Sequence, residues 1–290
     1  MEIKKILVTG YSGQLGYFLV QSLSENFPSV EIFHPSRAEL DWSSQTSVQN
    51  YFQQNTFDIV FHAAAYTQVE LAEEQPSLAF DINAHSIEWL AKSIDTSKTW
   101  LWYFSTDYVF DGTKNLPYTE TDVVHPINVY GQSKNAGEAL VRSHFPHHTI
   151  LRISWLYSTR GKNFFKTMLA LAETRSELSV VDDQIGSPTH AASLAGDIAK
   201  FLLQKKELQG TFHYSPQGET TWFGFAQKIF EFNQQNISIK AVSSADFPQK
   251  ANRPPYSKLD SNKWIQATGI TPETWENQLE QCFDNWHKQQ

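Results

Sequence analysis

The sequence predicts an α/β fold: a doubly wound parallel sheet with a smaller C-terminal α/β unit attached. Three observations carry this expectation. Short runs rich in Ile, Val and Phe alternate with helical stretches through the first half. Most of these runs lack period-2 alternation, as parallel strands buried on both faces do. A glycine-rich turn separates the first run from the first helical stretch. Strand, helix, strand at this spacing closes right-handed βαβ units.

In chain order the strand candidates of the first half are residues 3–9, 30–33, 57–62, 100–105 and 149–153, with helices over 15–26, 77–93 and 130–144 among those between them. The second half is less regular. The pattern predicts a helix over 163–175, a strand over 178–181, and a turn at Gly186-Ser187-Pro188-Thr189 before a helix to about 203. A strand at 211–214, a helix at 222–233, a strand at 237–242 and a Pro-rich loop, Arg253-Pro254-Pro255, follow. The last helix, 272–287, sets Trp275, Leu279, Phe283 and Trp286 on one face. The division is therefore a dinucleotide-binding domain over 1–152 and a mainly substrate-binding domain over 153–290, leaving open whether 178–203 returns to the main sheet.

Composition narrows the function classes. The 290 residues suggest about two domains at ~150 residues each. With 40% hydrophobic and 19% charged residues, the chain can bury a core, which argues against wholesale disorder. Aromatics reach 14%, a load that favours pockets with stacking walls. Lys plus Arg total 23 against 31 Asp plus Glu, a net charge of −8 that repels phosphate backbones, so no nucleic-acid partner is expected. Cys282 is the sole cysteine, which excludes an intrachain disulfide and suits a reducing compartment. No stretch approaches the ~18 apolar residues of a membrane span, and the N-terminus lacks a signal-peptide core. The expectation is a cytoplasmic protein without membrane contact.

Gly10-Tyr11-Ser12-Gly13-Gln14-Leu15-Gly16 follows the first strand and opens a helix. This GxxGxxG is one residue longer in its first gap than the Rossmann-type fingerprint, but the physics is shared. Gly10 makes the tight turn, Gly13 admits a pyrophosphate to the backbone, and Gly16 lets the helix pack close to the sheet. The helix N-terminal amides then face an anion. After the second strand the chain reads Phe33-His34-Pro35-Ser36-Arg37, without the carboxylate that holds a ribose 2′-hydroxyl. Arg37 and Ser36 suit a 2′-phosphate and point to NADPH, with NADH left possible; a solvated loop arginine would look the same.

Tyr130-Gly131-Gln132-Ser133-Lys134 is a YxxxK at the start of a helix, so tyrosine and lysine share a face. A nearby ammonium favours phenolate, and the expectation is a lowered tyrosine pKa suited to general acid catalysis on a carbonyl. Alone, YxxxK is more often an exposed pair. Ser105-Thr106-Asp107 changes the odds, because it ends a parallel strand, where ligands bind in such sheets. Thr106 is then placed to donate to the oxygen that Tyr130 protonates.

Together these motifs resemble the extended short-chain dehydrogenase/reductases that act on nucleotide sugars. Ser-Thr-Asp-Tyr-Val-Phe (105–110), Asn-Val-Tyr-Gly-Gln-Ser-Lys (128–134), Ser-Trp-Leu-Tyr (154–157), Asn-Phe-Phe-Lys-Thr-Met-Leu (163–169) and Asp-Asp-Gln-Ile-Gly-Ser-Pro-Thr (182–189) resemble the dTDP-4-dehydrorhamnose reductases, nearly end to end. The resemblance implies reduction of the C4 keto group of a dTDP-6-deoxy-4-keto sugar by NADPH. It implies Thr106, Tyr130 and Lys134 as catalytic hydroxyl, proton donor and ribose-holding lysine. It implies dinucleotide contacts from Gly13, Gln14, Leu15, Asp41, Trp42 and the segment Ala63, Ala64, Ala65 to Thr67, with Asp41 near the adenine. Val69, Asp107 and Trp155 fall on the implied sugar-facing wall, and Arg253 near the nucleotide end, where a guanidinium suits a pyrophosphate. Core packing for Trp155 and a plain loop position for Arg253 remain the competing readings.

Two other functions stay open. A dehydratase or epimerase on the same fold needs a further acid/base pair, and the Asp-Glu expected after the strand-end threonine is Asp107-Tyr108 here. A non-catalytic regulatory homologue would have no need to keep Tyr130, Lys134 and Trp155 together. His144, His147 and His148 cluster at a helix end without carboxylate partners, so no metal is expected there. The resemblance also implies a magnesium-bridged dimer in some members, through carboxylates at positions that are Phe18 and Ala192 here. Neither residue offers the oxygen ligands a hard cation takes. The expectation is a metal-independent monomer, or a dimer without magnesium.

Overall fold

The computed structural model describes residues 3–235 and 237–288. Six parallel strands form the central sheet in the order β10-β5-β4-β3-β1-β2. Five come from the first half: β1 (Lys5–Val8), β2 (Glu31–Phe33), β3 (Ile59–His62), β4 (Trp100–Thr106) and β5 (His148–Ile153). Each expected strand is present with its ends shifted by a few residues. All seven residues of β4 are buried, which is why the run shows no alternation.

Helices cover both faces. On one side α1 (Gln14–Asn26) packs Leu15, Phe18 and Leu19 with Ile6, Val8, Phe61 and Trp102 of the sheet. On the other, α2 (Gln45–Gln54), α5 (Ser86–Ser93) and α6 (Val129–His144) cover Leu7, Val60, Leu101, Tyr103 and Ile150. The short helix α3 (Val69–Glu74) follows β3. The helix expected over 77–93 is interrupted: α4 (Pro76–Phe80) runs into a π-helical turn, Asp81–His85, before α5. Widening at that turn exposes backbone groups. The Asn83 carbonyl accepts the Tyr103 hydroxyl at 2.7 Å, and its side chain bonds both backbone groups of Tyr66 and the Ser133 hydroxyl. That one asparagine ties the segment after β3 to α6.

The second half contributes β6 (Leu156–Tyr157), α7 (Phe164–Ala172), β7 (Glu177–Val181), β8 (Ile185–Gly186), β9 (Thr189–His190) and α8 (Ala191–Leu203). They are followed by β10 (Gly210–Tyr214), β11 (Thr220–Thr221), α9 (Trp222–Phe232), β12 (Ser238–Val242), α10 (Asn262–Thr268) and α11 (Trp275–His287). The stretch 178–203 divides. Its strand β7 pairs in parallel with β12, outside the main sheet, whereas α8 packs Leu194, Ile198 and Phe201 into the α1 side of the sheet. The sixth strand of the main sheet is β10, beside β5. A separate core joins Tyr157, Phe165, Val180, Phe225, Trp275, Leu279 and Phe283, placing the apolar face of α11 inward. Among the described residues, no helix is long and apolar enough to cross a membrane.

Candidate active site

The carboxyl ends of β1, β3 and β4 converge on one edge of the sheet. Gly10 adopts φ 69°, and a Cβ there would lie within 2.9 Å of the Ala63 and Ala64 backbone, so only glycine fits. The Gly13 amide closes the turn onto the Gly10 carbonyl at 2.9 Å, and the Thr9 hydroxyl accepts the Ala64 amide at 2.9 Å. Gly13 is the N-cap of α1 and supplies no side-chain cap, leaving the first-turn amides to an anion.

Beside this loop lies a cleft of about 390 Å³ lined by Arg37, Ala65, Tyr66, Thr67, Gln68 and Leu71. Arg37 is exposed and pairs with Asp41 at 3.5 Å, while Asp41 also accepts the Ser43 amide and hydroxyl. Ser36 is not free for a phosphate: its amide and hydroxyl both donate to Glu39, at 2.8 and 2.7 Å. The stretch 33–37 lacks a carboxylate, but the fold brings one back two residues beyond it. Leu15 and Trp42 are core side chains, 5% and 6% exposed, so anything they give a dinucleotide comes from their backbone. The Gln14 carboxamide reaches away from the glycine loop, accepting the Ser158 hydroxyl at 3.0 Å and the Asn163 amide group at 2.9 Å. It links α1 to the second half.

At the end of β4, Thr106 and Asp107 are buried beside the start of α6. Asn128 caps that helix through the Gly131 amide and donates to the Asn252 carbonyl. Tyr130 is half-buried as a residue, but its hydroxyl is buried, with Thr106 as its hydrogen-bonding neighbour. Thr106 donates to Asp107 Oδ1 at 3.0 Å, so it must turn to reach a substrate oxygen. Burial lifts the Asp107 carboxyl to about 7 against hydrogen bonds from Ser257 and Thr106, and its other oxygen is buried without a partner.

The expected electrostatics of the tyrosine are reversed. Desolvation around the Tyr130 hydroxyl pushes its pKa above the ordinary tyrosine value, with Asp107 adding to the rise against the Thr106 hydrogen bond. Lys134 does not counter it: its ammonium lies over the Tyr103 ring, 4.1 Å from the centroid, and burial brings its pKa down to about 7 despite Glu138. One turn on, the fully buried Glu138 forms a fork with Arg152 at 2.8 and 2.7 Å and accepts the Ser105 hydroxyl at 2.6 Å. This network locks α6 to β4 and β5 directly beneath the site. Its sequence signal was available, since Glu138 repeats the i,i+4 step from Lys134.

The second half supplies an aromatic wall. Trp155 adopts φ 48°, a left-handed conformation that is costly for a large side chain. Its indole stacks on Trp222, centroids 3.6 Å apart and planes 6° from parallel, and leaves no room for a Cβ at Gly186. Trp222 Nε1 donates to Gln184 Oε1 at 3.1 Å. Nothing in the sequence pairs Trp222 with Trp155. Half-buried Val69 begins α3, and Arg253 pairs with Glu70 at 2.5 Å. Arg253 also meets the Tyr108 hydroxyl, and Tyr108 packs edge-on against Tyr130, centroids 5.8 Å apart. The geometry thus gathers Thr106, Asp107, Tyr130 and Lys134 at one strand end, with Arg253 one side chain further out.

The family model described as RmlD substrate binding domain matches residues 4–288. The chain belongs to this family. A dTDP-4-dehydrorhamnose reductase of Sinorhizobium fredii is 39% identical over 281 residues, covering 94% of each chain. One from Salmonella typhimurium is 38% identical, covering 93% of this chain and 94% of its own. The crystal structure of the Bacillus anthracis reductase in complex with NADP superimposes with TM-score 0.91 at 38% identity, covering 98% of this chain and 100% of that one. UDP-glucose 4-epimerase, at 17% identity and TM-score 0.80, shares the fold.

The two positions implied as magnesium carriers within this family are apolar in structure as well as in sequence. Phe18 lies in the main core, 7% exposed, edge-on to His190. Ala192 packs at the margin of the same core. His144 ends α6, and His148 Nδ1 contacts the Phe145 carbonyl oxygen at 2.7 Å. Among the described residues, no group of three or more His, Cys, Asp or Glu side chains is placed to hold a metal.

Proposed function

We propose that the chain reduces the C4 keto group of dTDP-4-dehydro-L-rhamnose to dTDP-L-rhamnose with NADPH, the last step of dTDP-rhamnose biosynthesis. The observation that carries this is the group formed by buried Thr106, Asp107 and Lys134 with half-buried Tyr130 at the end of β4, in a chain 38–39% identical to named reductases. The residues present fit the cofactor: Gly10 is the cradle a Cβ would fill, and α1 carries no side-chain cap.

When bound, NADPH supplies the hydride. Gly10, Gly13 and Gly16 with the first amides of α1 hold its pyrophosphate, Ala63 to Thr67 line its path, and Arg37 meets the 2′-phosphate. Lys134 holds the nicotinamide ribose. Tyr130 keeps its proton until charge develops on the C4 oxygen, because burial favours its neutral form. Thr106 turns from Asp107 toward that oxygen, leaving Asp107 to a sugar hydroxyl. Trp155 and Val69 wall the sugar, and Arg253 faces the diphosphate. The parallel-sheet body thus holds the dinucleotide, and most of residues 153–290 cover the sugar nucleotide. Glu39 favours a second cofactor reading: its carboxylate, beside Ser36, suits a ribose 2′-hydroxyl, so NADH is used as well.

The activity needs no metal, and the protein is a cytoplasmic monomer, or a dimer formed without magnesium. The test is NADPH oxidation with dTDP-4-keto-6-deoxy-L-mannose against its UDP and GDP counterparts, repeated with EDTA and with NADH. Turnover of the dTDP sugar, unchanged by EDTA, is expected. No turnover of that sugar overturns the reading.

A further inference from the structure

Arg253 lies in a loop strapped across the site, and α3 holds the strap down. Glu70 Oε2 accepts the backbone amides of Lys250 and Ala251 at 2.7 and 3.2 Å, while Oε1 takes Arg253 Nη2 at 2.5 Å. Lys250 pairs with Glu74, and Asn252 is held through its carbonyl by Asn128, the cap of the catalytic helix. Both terminal nitrogens of the guanidinium are already engaged by the protein itself. Its Nη1 donates to Gln249 at 2.5 Å and to the Ala251 carbonyl at 3.4 Å. A guanidinium grips a diphosphate through two parallel N–H groups, and here each terminal nitrogen already holds a protein partner, with Glu70 on Nη2.

We propose that Glu70 is a resident competitor for Arg253, a carboxylate that the diphosphate of the sugar nucleotide must displace. This rests on the reading of the chain as a nucleotide-sugar reductase with Arg253 at the diphosphate end. The position fits an exchange. The pair is partly open to solvent, with side chains 21% and 40% exposed, so an incoming anion can reach it. Partial exposure also keeps the pair weak enough to give way. Burial works against the Glu70 charge, but the Lys250 amide and Arg253 hold its carboxyl below the usual range, so it stays charged and competes throughout the neutral region. A doubly charged diphosphate outbids one carboxylate at that guanidinium. An uncharged or singly charged ligand does not, which makes Glu70 a specificity residue as well as a latch.

The opposite role, Glu70 as a support that aims Arg253 at the diphosphate, predicts the opposite sign. The experiment measures thymidine diphosphate affinity by calorimetry for the full chain and for Glu70→Gln, Glu70→Ala and Arg253→Ala, with NADPH affinity as the folding control. Removing a competing surface-type pair should tighten thymidine diphosphate binding by about threefold in both Glu70 variants. NADPH affinity should not change. Arg253→Ala should weaken diphosphate binding. Unchanged or weaker binding in the Glu70 variants, with the Arg253 loss intact, overturns the latch and leaves the reductase standing. No loss in Arg253→Ala overturns the diphosphate role itself. A loss of affinity cannot be mistaken for the predicted gain, so a merely damaged fold does not imitate it.

Discussion

The two sides of the site are held by different physics. On the sheet side, Tyr130, Lys134 and Thr106 stand on α6 and β4, elements locked together by a carboxylate–guanidinium fork in which Glu138 is fully buried and Arg152 is 4% exposed. On the other side, Trp155 and Arg253 stand on loops and two-residue strands, held by one aromatic stack and by partly exposed ion pairs. The difference teaches where this fold can yield. Proton transfer needs positions fixed to a fraction of an ångström, and buried, fully bonded charges supply that. A wall that admits and releases a bulky sugar nucleotide has to move, and weak exposed contacts permit it.

Breaking the sheet side should therefore cost most. Tyr130→Phe removes the proton donor and little else, so kcat should fall by about 10²–10⁴. NADPH affinity, which does not depend on that hydroxyl, should be nearly unchanged in a fluorescence titration. Retained turnover would move the proton donor elsewhere, with Asp107 the first candidate. Glu138→Ala comes next. It leaves the Arg152 guanidinium buried and unpaired, which costs about 3–5 kcal/mol and should lower Tm by roughly 10 °C. Because α6 then loses its anchor one turn from Lys134, kcat should drop with it. A stable but active variant would show that the fork is dispensable to the site.

What the sequence disclosed follows the same division. The sheet side was legible because its spacings are short. Tyr130 and Lys134 sit one helical turn apart, Thr106 ends a buried strand, and the glycine loop lies between the first strand and helix. The central strands were legible because burial on both faces leaves continuous apolar runs. The break in the 77–93 helix was not, since it answers to Tyr103 and Ser133, which are distant in sequence. Nor was the tyrosine's raised pKa: the spacing puts the lysine on the right face, but it is the tertiary fold that sets its ammonium against the Tyr103 ring. Ser36 was misread as free because Glu39 folds back upon it. The pairings of Trp155 with Trp222 and of Arg253 with Glu70 join segments far apart in sequence, and no local pattern encodes them.

The smallest effect belongs to the aromatic wall, and it tests whether that side is as yielding as its contacts suggest. Trp155 keeps φ 48° because Trp222 covers one side of its indole and Gly186 allows close approach. Such a conformation costs about 1–3 kcal/mol and persists only while its surroundings impose it. Trp222→Ala removes the stack, so Trp155 relaxes and the sugar loses its wall in the ground state and the transition state alike. Uniform loss of binding raises KM and leaves kcat alone. The expected change is about a tenfold rise in KM for the sugar nucleotide, equivalent to about 1.4 kcal/mol, with unchanged kcat and NADPH affinity. Trp222→Phe, which keeps a stacking face, should recover most of the loss. If kcat falls with KM constant, the wall is as rigid as the sheet side and the division drawn between them is wrong.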